Sequence, residues 1–279
     1  MFTSIRRVVE ILELSWGRLA IGFLSMLIPA AIFAWYRTGL NRQLMIALVR
    51  MTLQLLFVGY YLEVLFEYDN HLFNLAWILV MVTVSDFATI DRSELRPKWS
   101  LILPVFIATI VGILLINVFF LKVVIQLPNL LQAQYAIPIT GMVLGNCLSS
   151  NVIGVHDFFY RLHREQITYQ YYLSTGATRN EALYPFFQSA IKRSINPTLA
   201  GMATIGLVSL PGMMTGQVLS GTSPMIAIQY QIMIMLAIFS GTVLTVFLAL
   251  HLTNRWVFRD TDMLDPEILK ETPVTNGQS

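Results

Sequence analysis

Long apolar runs separated by short polar stretches are the dominant pattern of this chain. A bilayer core of roughly 30 Å is crossed by about 20 apolar residues in a helix. The helix is required because lipid offers no partner to backbone N–H and C=O groups, which must then be satisfied inside the segment. Seven stretches meet that requirement, at 19–35, 43–66, 72–87, 101–121, 135–158, 197–219 and 224–252. The pattern predicts an all-α, polytopic integral membrane protein with about seven transmembrane helices. Two of the seven are interrupted. The third carries Asp86, and the sixth contains most of SLPGMMTGQVLSGTSP, residues 209–224.

Composition agrees with the pattern: 56% of the 279 residues are hydrophobic and only 12% are charged, against about 25% charged in an ordinary soluble domain. A formal net charge of +2 gives no basis for nucleic-acid binding, so the basic residues are read as topology signals. With the C-terminus inside, the cytoplasmic side receives Arg37, Arg42, Arg92, Arg96, Lys98, Arg161, Arg164, Arg179, Lys192, Arg193, Arg255, Arg259 and Lys270. The outside keeps Arg6, Arg7, Arg18 and Lys122, and Arg50 falls within a span. The positive-inside rule therefore places the N-terminus outside and the C-terminus inside. This divides the chain into an extracytoplasmic leader at 1–18, a membrane domain at 19–252 and a polar cytoplasmic tail at 253–279. The leader is too long and too acidic for a cleaved signal. The expected location is the inner (plasma) membrane, as a multi-pass protein.

Residues 160–196 are the one long polar interruption. Ile167, Tyr171 and Tyr172 recur at helical spacing, as do Ala182, Phe186 and Ala190, which predicts two amphipathic helices joined at Gly176 on the cytoplasmic face. They either only connect two spans or dock a cytoplasmic partner. Ionisable groups inside spans cost roughly 2.5 to 3.5 kcal/mol on insertion scales, so each needs an account. Arg50 and Asp86 are expected at similar depth, where they pair between helices, or Arg50 snorkels and Asp86 caps a helix end. Gln54, one turn from Arg50, bonds across helices or lines a path. Glu63, near the outer end of the second span, is solvated or draws in a cation as a hard oxygen ligand. Gly141 and Gly145 form a GxxxG-like face for close helix approach, with Asn146 as polar glue or facing a cavity.

Thirteen methionines invite a soft-metal reading. On a helix, however, Met213 and Met214 point about 100° apart, and Met233 and Met235 point to nearly opposite sides, so no face collects them. Pro211, Gly212 and Gly216 instead predict a bend in the sixth span, able to serve as a gate, with Thr215 and Gln217 supplying hydrogen bonds there. The single cysteine, Cys147, is expected as a small buried residue.

Three segments carry a family resemblance. Glu165 followed by LSTGATRNEAL at 173–183 resembles the coupling loop of ABC-transporter permeases. Joined with IPITGMVLGN at 137–146 and GLVSLPGMMTGQVLSGTSPMIAIQYQIMIM at 206–235, it is similar to the FetB-type ABC permeases of iron export and metal resistance. LSTGAT stands where that family's LALGAT is expected, which puts Ser174 and Thr175 in the turn.

The resemblance covers about residues 19–252. It implies a homodimeric permease served by a separate cytoplasmic ABC ATPase that carries ATP-Mg, with Glu165, Ser174, Thr175, Gly176, Ala177, Glu181 and Ala182 in the coupling element. No GxxxxGK[ST] phosphate loop occurs in this chain, so ATP hydrolysis is expected elsewhere. No cofactor is expected here, nor any enzymatic activity, since the spans hold no HExxH, nucleophile motif or acid pair. The expected cargo is a metal ion such as iron. The alternatives are a non-metal cargo such as a nucleotide sugar, or an ion-coupled secondary carrier.

Overall fold

The computed structural model describes residues 15–258 and Leu269. It is all-helical apart from turns and isolated bridges. The Ser15 hydroxyl accepts from the Arg18 N–H and starts α1, Trp16–Phe23. A tight 3₁₀ turn at Leu24–Met26 leads into α2, Leu27–Trp35. Pro29 explains the interruption: its ring crowds the carbonyl four residues back, at Ser25.

The next two helices form a hairpin. α3, Asn41–Tyr68, stops at Asp69, whose φ of 35° is left-handed. Asn70 then caps α4, His71–Arg92, by accepting from the Leu72 N–H. The Asp69 carboxylate accepts from Asn74 Nδ2 at 3.0 Å and from the Ala133 N–H at 2.9 Å. One carboxylate thus ties this corner to the helix that starts at Ala133.

The centre of the bundle is built from α5 (Trp99–Asn117, continued by a wide π-helical turn at Val118–Val124), α6 (Ala133–Arg164) and α10 (Pro224–Val257). Small residues set their spacing. A Cβ on Gly112 of α5 would lie 2.5 Å from the Thr245 methyl of α10, and one on Gly241 of α10 would lie 2.7 Å from Val143 Cγ1 of α6. Around these approaches pack fully buried side chains, among them Val105, Val143, Phe158 and Leu250.

Six helical stretches are long and apolar enough to cross a bilayer among the described residues: Trp16–Trp35, Asn41–Tyr68, His71–Arg92, Trp99–Val124, Ala133–Arg164 and Pro224–Val257. Each overlaps one of the seven stretches expected from the hydropathy pattern. The remaining expected span, 197–219, is not one helix. α8, Arg179–Thr204, runs straight through Pro197, and the chain then unwinds before α9, Gly212–Leu219. Two residues account for the break. Gly206 adopts a φ of 85°, open to glycine without steric cost, and Pro211 disfavours helix at Leu210 before it.

The helices joined at Gly176 do form, as α7, Gln166–Ser174, and α8. Their bounds correct the expected 160–196 segment. α6 continues to Arg164, and α8 does not end near 196 but runs on to Thr204.

Candidate functional site

The corner between α6, α7 and α8 is rigidly specified. Arg161 and Glu165 form an ion pair at 3.0 Å at the end of α6, and the Arg161 guanidinium also stands over the Phe186 ring. Glu165 is therefore an internal tether of the corner. At the end of α7, Ser174 Oγ donates to the Tyr171 carbonyl at 2.8 Å and Thr175 Oγ1 to the Tyr172 carbonyl at 2.9 Å. These hydroxyls add second donors to carbonyls that already accept the Thr175 and Ala177 N–H groups, which is how Ser and Thr are accommodated in the turn.

Gly176, at φ 94°, reverses the chain. A side chain would have room there, so what the position selects is the left-handed backbone. Thr178 then opens α8 with a reciprocal capping box. Its hydroxyl accepts from the Glu181 N–H, and the Glu181 carboxylate accepts from the Thr178 N–H at 2.8 Å and from its hydroxyl at 2.7 Å. The Thr178 hydroxyl, and then its N–H, hold the Glu181 carboxyl below the ordinary carboxylate range. The box therefore stabilises the corner at neutral pH and loosens as pH falls through that lowered value.

Behind the exposed turn, Tyr169, Ala182 and Phe186 are buried. Ala177 is half-buried, and Ser174, Thr175, Gly176 and Glu181 are exposed. The result is an exposed helix–Gly–helix knob on a fixed base, projecting from the Lys/Arg-rich end of the bundle.

The expected path residues do not gather into one site. Arg50 is exposed on α3, while Asp86 is 1% exposed and accepts from Thr109 Oγ1 at 2.8 Å. The expected Arg50–Asp86 pair is thus replaced by a carboxylate–hydroxyl bond between α4 and α5, and Asp86 Oδ2 is left without a partner. Gln54 does meet Gly141 and Gly145 along a groove of about 430 Å³ between α3, α4 and α6. Asn146 is exposed and donates back to the Met142 carbonyl of its own helix, so it bridges no helices within the chain. Glu63 is also exposed.

The expected bend at 211–217 lies earlier, at 205–211. Pro211 precedes α9, in which Gly212, Thr215, Gly216 and Gln217 are helical. A Cβ at Gly212 or Gly216 would meet nothing within 4 Å, so within this chain neither glycine serves close approach. Gln217 Oε1 is buried without a partner. Cys147 is buried as expected, its sulfur 3.9 Å from Thr242 Oγ1. Among the described residues no group of three or more His, Cys, Asp or Glu is arranged to hold a metal.

Sequence reading missed a polar lock. Asp157 of α6 accepts from Ser189 Oγ at 3.0 Å and pairs with Arg193 at 3.0 Å, both on α8. An acid one turn before Arg161 near a span end was the available signal. It acquires its charged partner because α8 continues to Arg193 alongside α6.

Comparison with known proteins covers most of the chain. The profile of an uncharacterised protein family, UPF0014, matches residues 16–258. The UPF0014 membrane protein slr1647 of Synechocystis is 35% identical over 82% of this chain and 88% of its own length. The UPF0014 membrane protein YjkA of Bacillus subtilis is 34% identical over 86% and 94%. The "Probable iron export permease protein FetB" of Escherichia coli is 29% identical over 91% and 96%. No solved structure matches.

Proposed function

This chain belongs to the UPF0014 family, and on that premise we propose that it is the membrane-spanning permease subunit of an ABC transporter, exporting a metal ion such as iron. The observation that carries the proposal is the knob at 174–178. A fixed ion pair, a left-handed glycine and a capping box present an exposed turn, and the helix that leaves it runs on into the bundle. A push on that turn is delivered along α8 to the break at 205–211, and from there to α9. The name carried by the Escherichia coli relative supports both the permease role and the cargo.

The permease traverses the bilayer seven times, N-terminus outside and C-terminus inside, the broken α8–α9 segment being the sixth traverse. Geometry supports this count. Tyr169 of α7 lies 6.2 Å from Phe258, just after α10, so the knob and the end of α10 share one end of the bundle. α10 is 34 residues long, roughly 50 Å of helix, and it begins at the other end. The segment between knob and α10 must therefore travel the length of the bundle.

In this account a separate ATPase with bound ATP-Mg docks on 160–196, a second copy of the chain completes the permease, and Gln54, Asn146 and the 211–217 segment belong to the path or gate. The alternative, an ion-coupled carrier, draws on the same broken segment and on the buried Asp86. Inverted vesicles containing the protein and its ATPase distinguish the two. Uptake of iron that requires ATP and survives collapse of the ion gradients supports the permease, and uptake that follows the gradient without ATP rejects it.

A further inference from the structure

A cavity of about 890 Å³ lies between α8 and α10 at the Lys/Arg-rich end of the bundle, within the size range of small-molecule sites. Arg179, Lys192 and Arg255 line it, and none of the described lining residues is a carboxylate. Arg179 is steered by the Phe258 ring, 5.7 Å from its guanidinium carbon. His251 is held against the rings of Phe187 and Phe247 at 4.9 and 4.1 Å. Its Nδ1 is 3.0 Å from the Phe247 carbonyl, and a carbonyl only accepts, so Nδ1 carries a proton and donates. Asn254, 5% exposed, also lines the cavity, and its Oδ1 has no hydrogen-bond partner. A buried acceptor without a donor is costly.

We propose that this cavity binds the headgroup of an anionic, hydroxyl-bearing glycerophospholipid of the phosphatidylglycerol class. The phosphate answers Lys192 and Arg255, and a headgroup hydroxyl supplies the donor that Asn254 Oδ1 lacks. The exposed Phe247 ring and the half-buried Ile191 continue the apolar wall on which an acyl chain lies. Basic pockets between helices at the cytoplasmic leaflet suit such headgroups in general. The same chemistry disfavours other occupants. A bare metal cation is repelled, and a second copy docked about a two-fold axis here would bring like charges face to face.

The test uses the full chain in vesicles of equimolar phosphatidylglycerol, phosphatidic acid and phosphatidylcholine, then counts retained lipids by native mass spectrometry after mild extraction. Phosphatidylglycerol should be retained about tenfold over phosphatidylcholine, a difference of roughly 1.4 kcal/mol, and severalfold over phosphatidic acid. The double variant Lys192→Gln/Arg255→Gln, at two exposed positions, should lose the preference over phosphatidylcholine. Asn254→Ala should lose only the preference over phosphatidic acid. Equal retention of phosphatidylcholine by the wild-type protein, or an unchanged preference in the double variant, overturns the proposal.

Two competitions on the wild-type protein keep it falsifiable without any variant. Glycerol 3-phosphate displacing the lipid at comparable concentration shows that a free phosphate ester is the ligand. Displacement by an acidic peptide such as oligoglutamate, with glycerol 3-phosphate inert, shows a protein-docking surface. Either result overturns the lipid assignment.

Discussion

α10 and the N-terminal pair α1–α2 are both apolar enough to cross a bilayer, yet they use that property in opposite ways. Half of the most apolar stretch of α10 is buried within the chain, and none of Trp16–Trp35 is. α3 resembles the N-terminal pair, with Leu65 its buried residue. Its stacked Tyr61 meets Trp77 of α4 at 4.1 Å between ring centroids, while most of its length faces outward. Hydrophobicity therefore marks what enters the membrane but does not separate helices that pack on protein from helices left to lipid or to a second copy. Glycine surroundings mark the packed faces. Gly112, Gly154 and Gly241 are pressed by neighbouring side chains, whereas Gly17, Gly22 and Gly59 have open space where a Cβ would go.

Substitutions can break this contrast, and the largest effect is expected at α10. Gly241→Leu must displace Val143 and approach Cys147, so a destabilisation of about 3 kcal/mol or more is expected, at or beyond the upper end of overpacking costs. Thermal unfolding in detergent should show it as a markedly lower midpoint or as failure to accumulate.

Asp157→Ala tests the polar lock within the same packed region. Losing one partner of a fully buried pair costs about 3 to 5 kcal/mol, but the Arg193 side chain is 64% exposed and can turn to water. A loss of about 1 to 2 kcal/mol is therefore expected, in the same unfolding assay. Gly59→Leu is the smallest change, within about 0.5 kcal/mol. A large loss there would mean that α3 is covered by a second copy in the folded assembly, which sharpens the comparison by assigning that face a partner.

The membrane architecture was legible because spanning helices obey a length rule that composition alone reveals. The corner at Gly176 was legible because apolar positions at helical spacing on either side, with a glycine between them, are local signals written within a few residues. Non-local features were hidden. Arg50 and Asp86 sit at matching depth in the sequence, but depth says nothing of which way a helix is turned, and Thr109 took the carboxylate instead.

The continuity of α8 was masked by Pro197 and by the polar run before it. Such a run remains helical against α6 because Asp157 lies along its path and takes Ser189 and Arg193, while Ser194 packs on Gly154. The break was expected around Pro211 and Gly212, but proline acts on the residues before it, so the unwound segment is 205–211 and the glycines at 212 and 216 are helical. The cavity between α8 and α10 was invisible for the same reason: its walls come from residues about 60 positions apart.

The central claim is that motion of a partner ATPase enters through the knob at Gly176. The most direct measurement compares wild-type protein with Gly176→Val, each co-reconstituted with the ATPase, recording ATP hydrolysis and iron transport together. A β-branched side chain opposes the φ of 94° without meeting any neighbour, so folding of the spans should be retained. The account predicts that the ATPase still hydrolyses ATP while transport falls at least tenfold. Wild-type transport by the folded variant would contradict it.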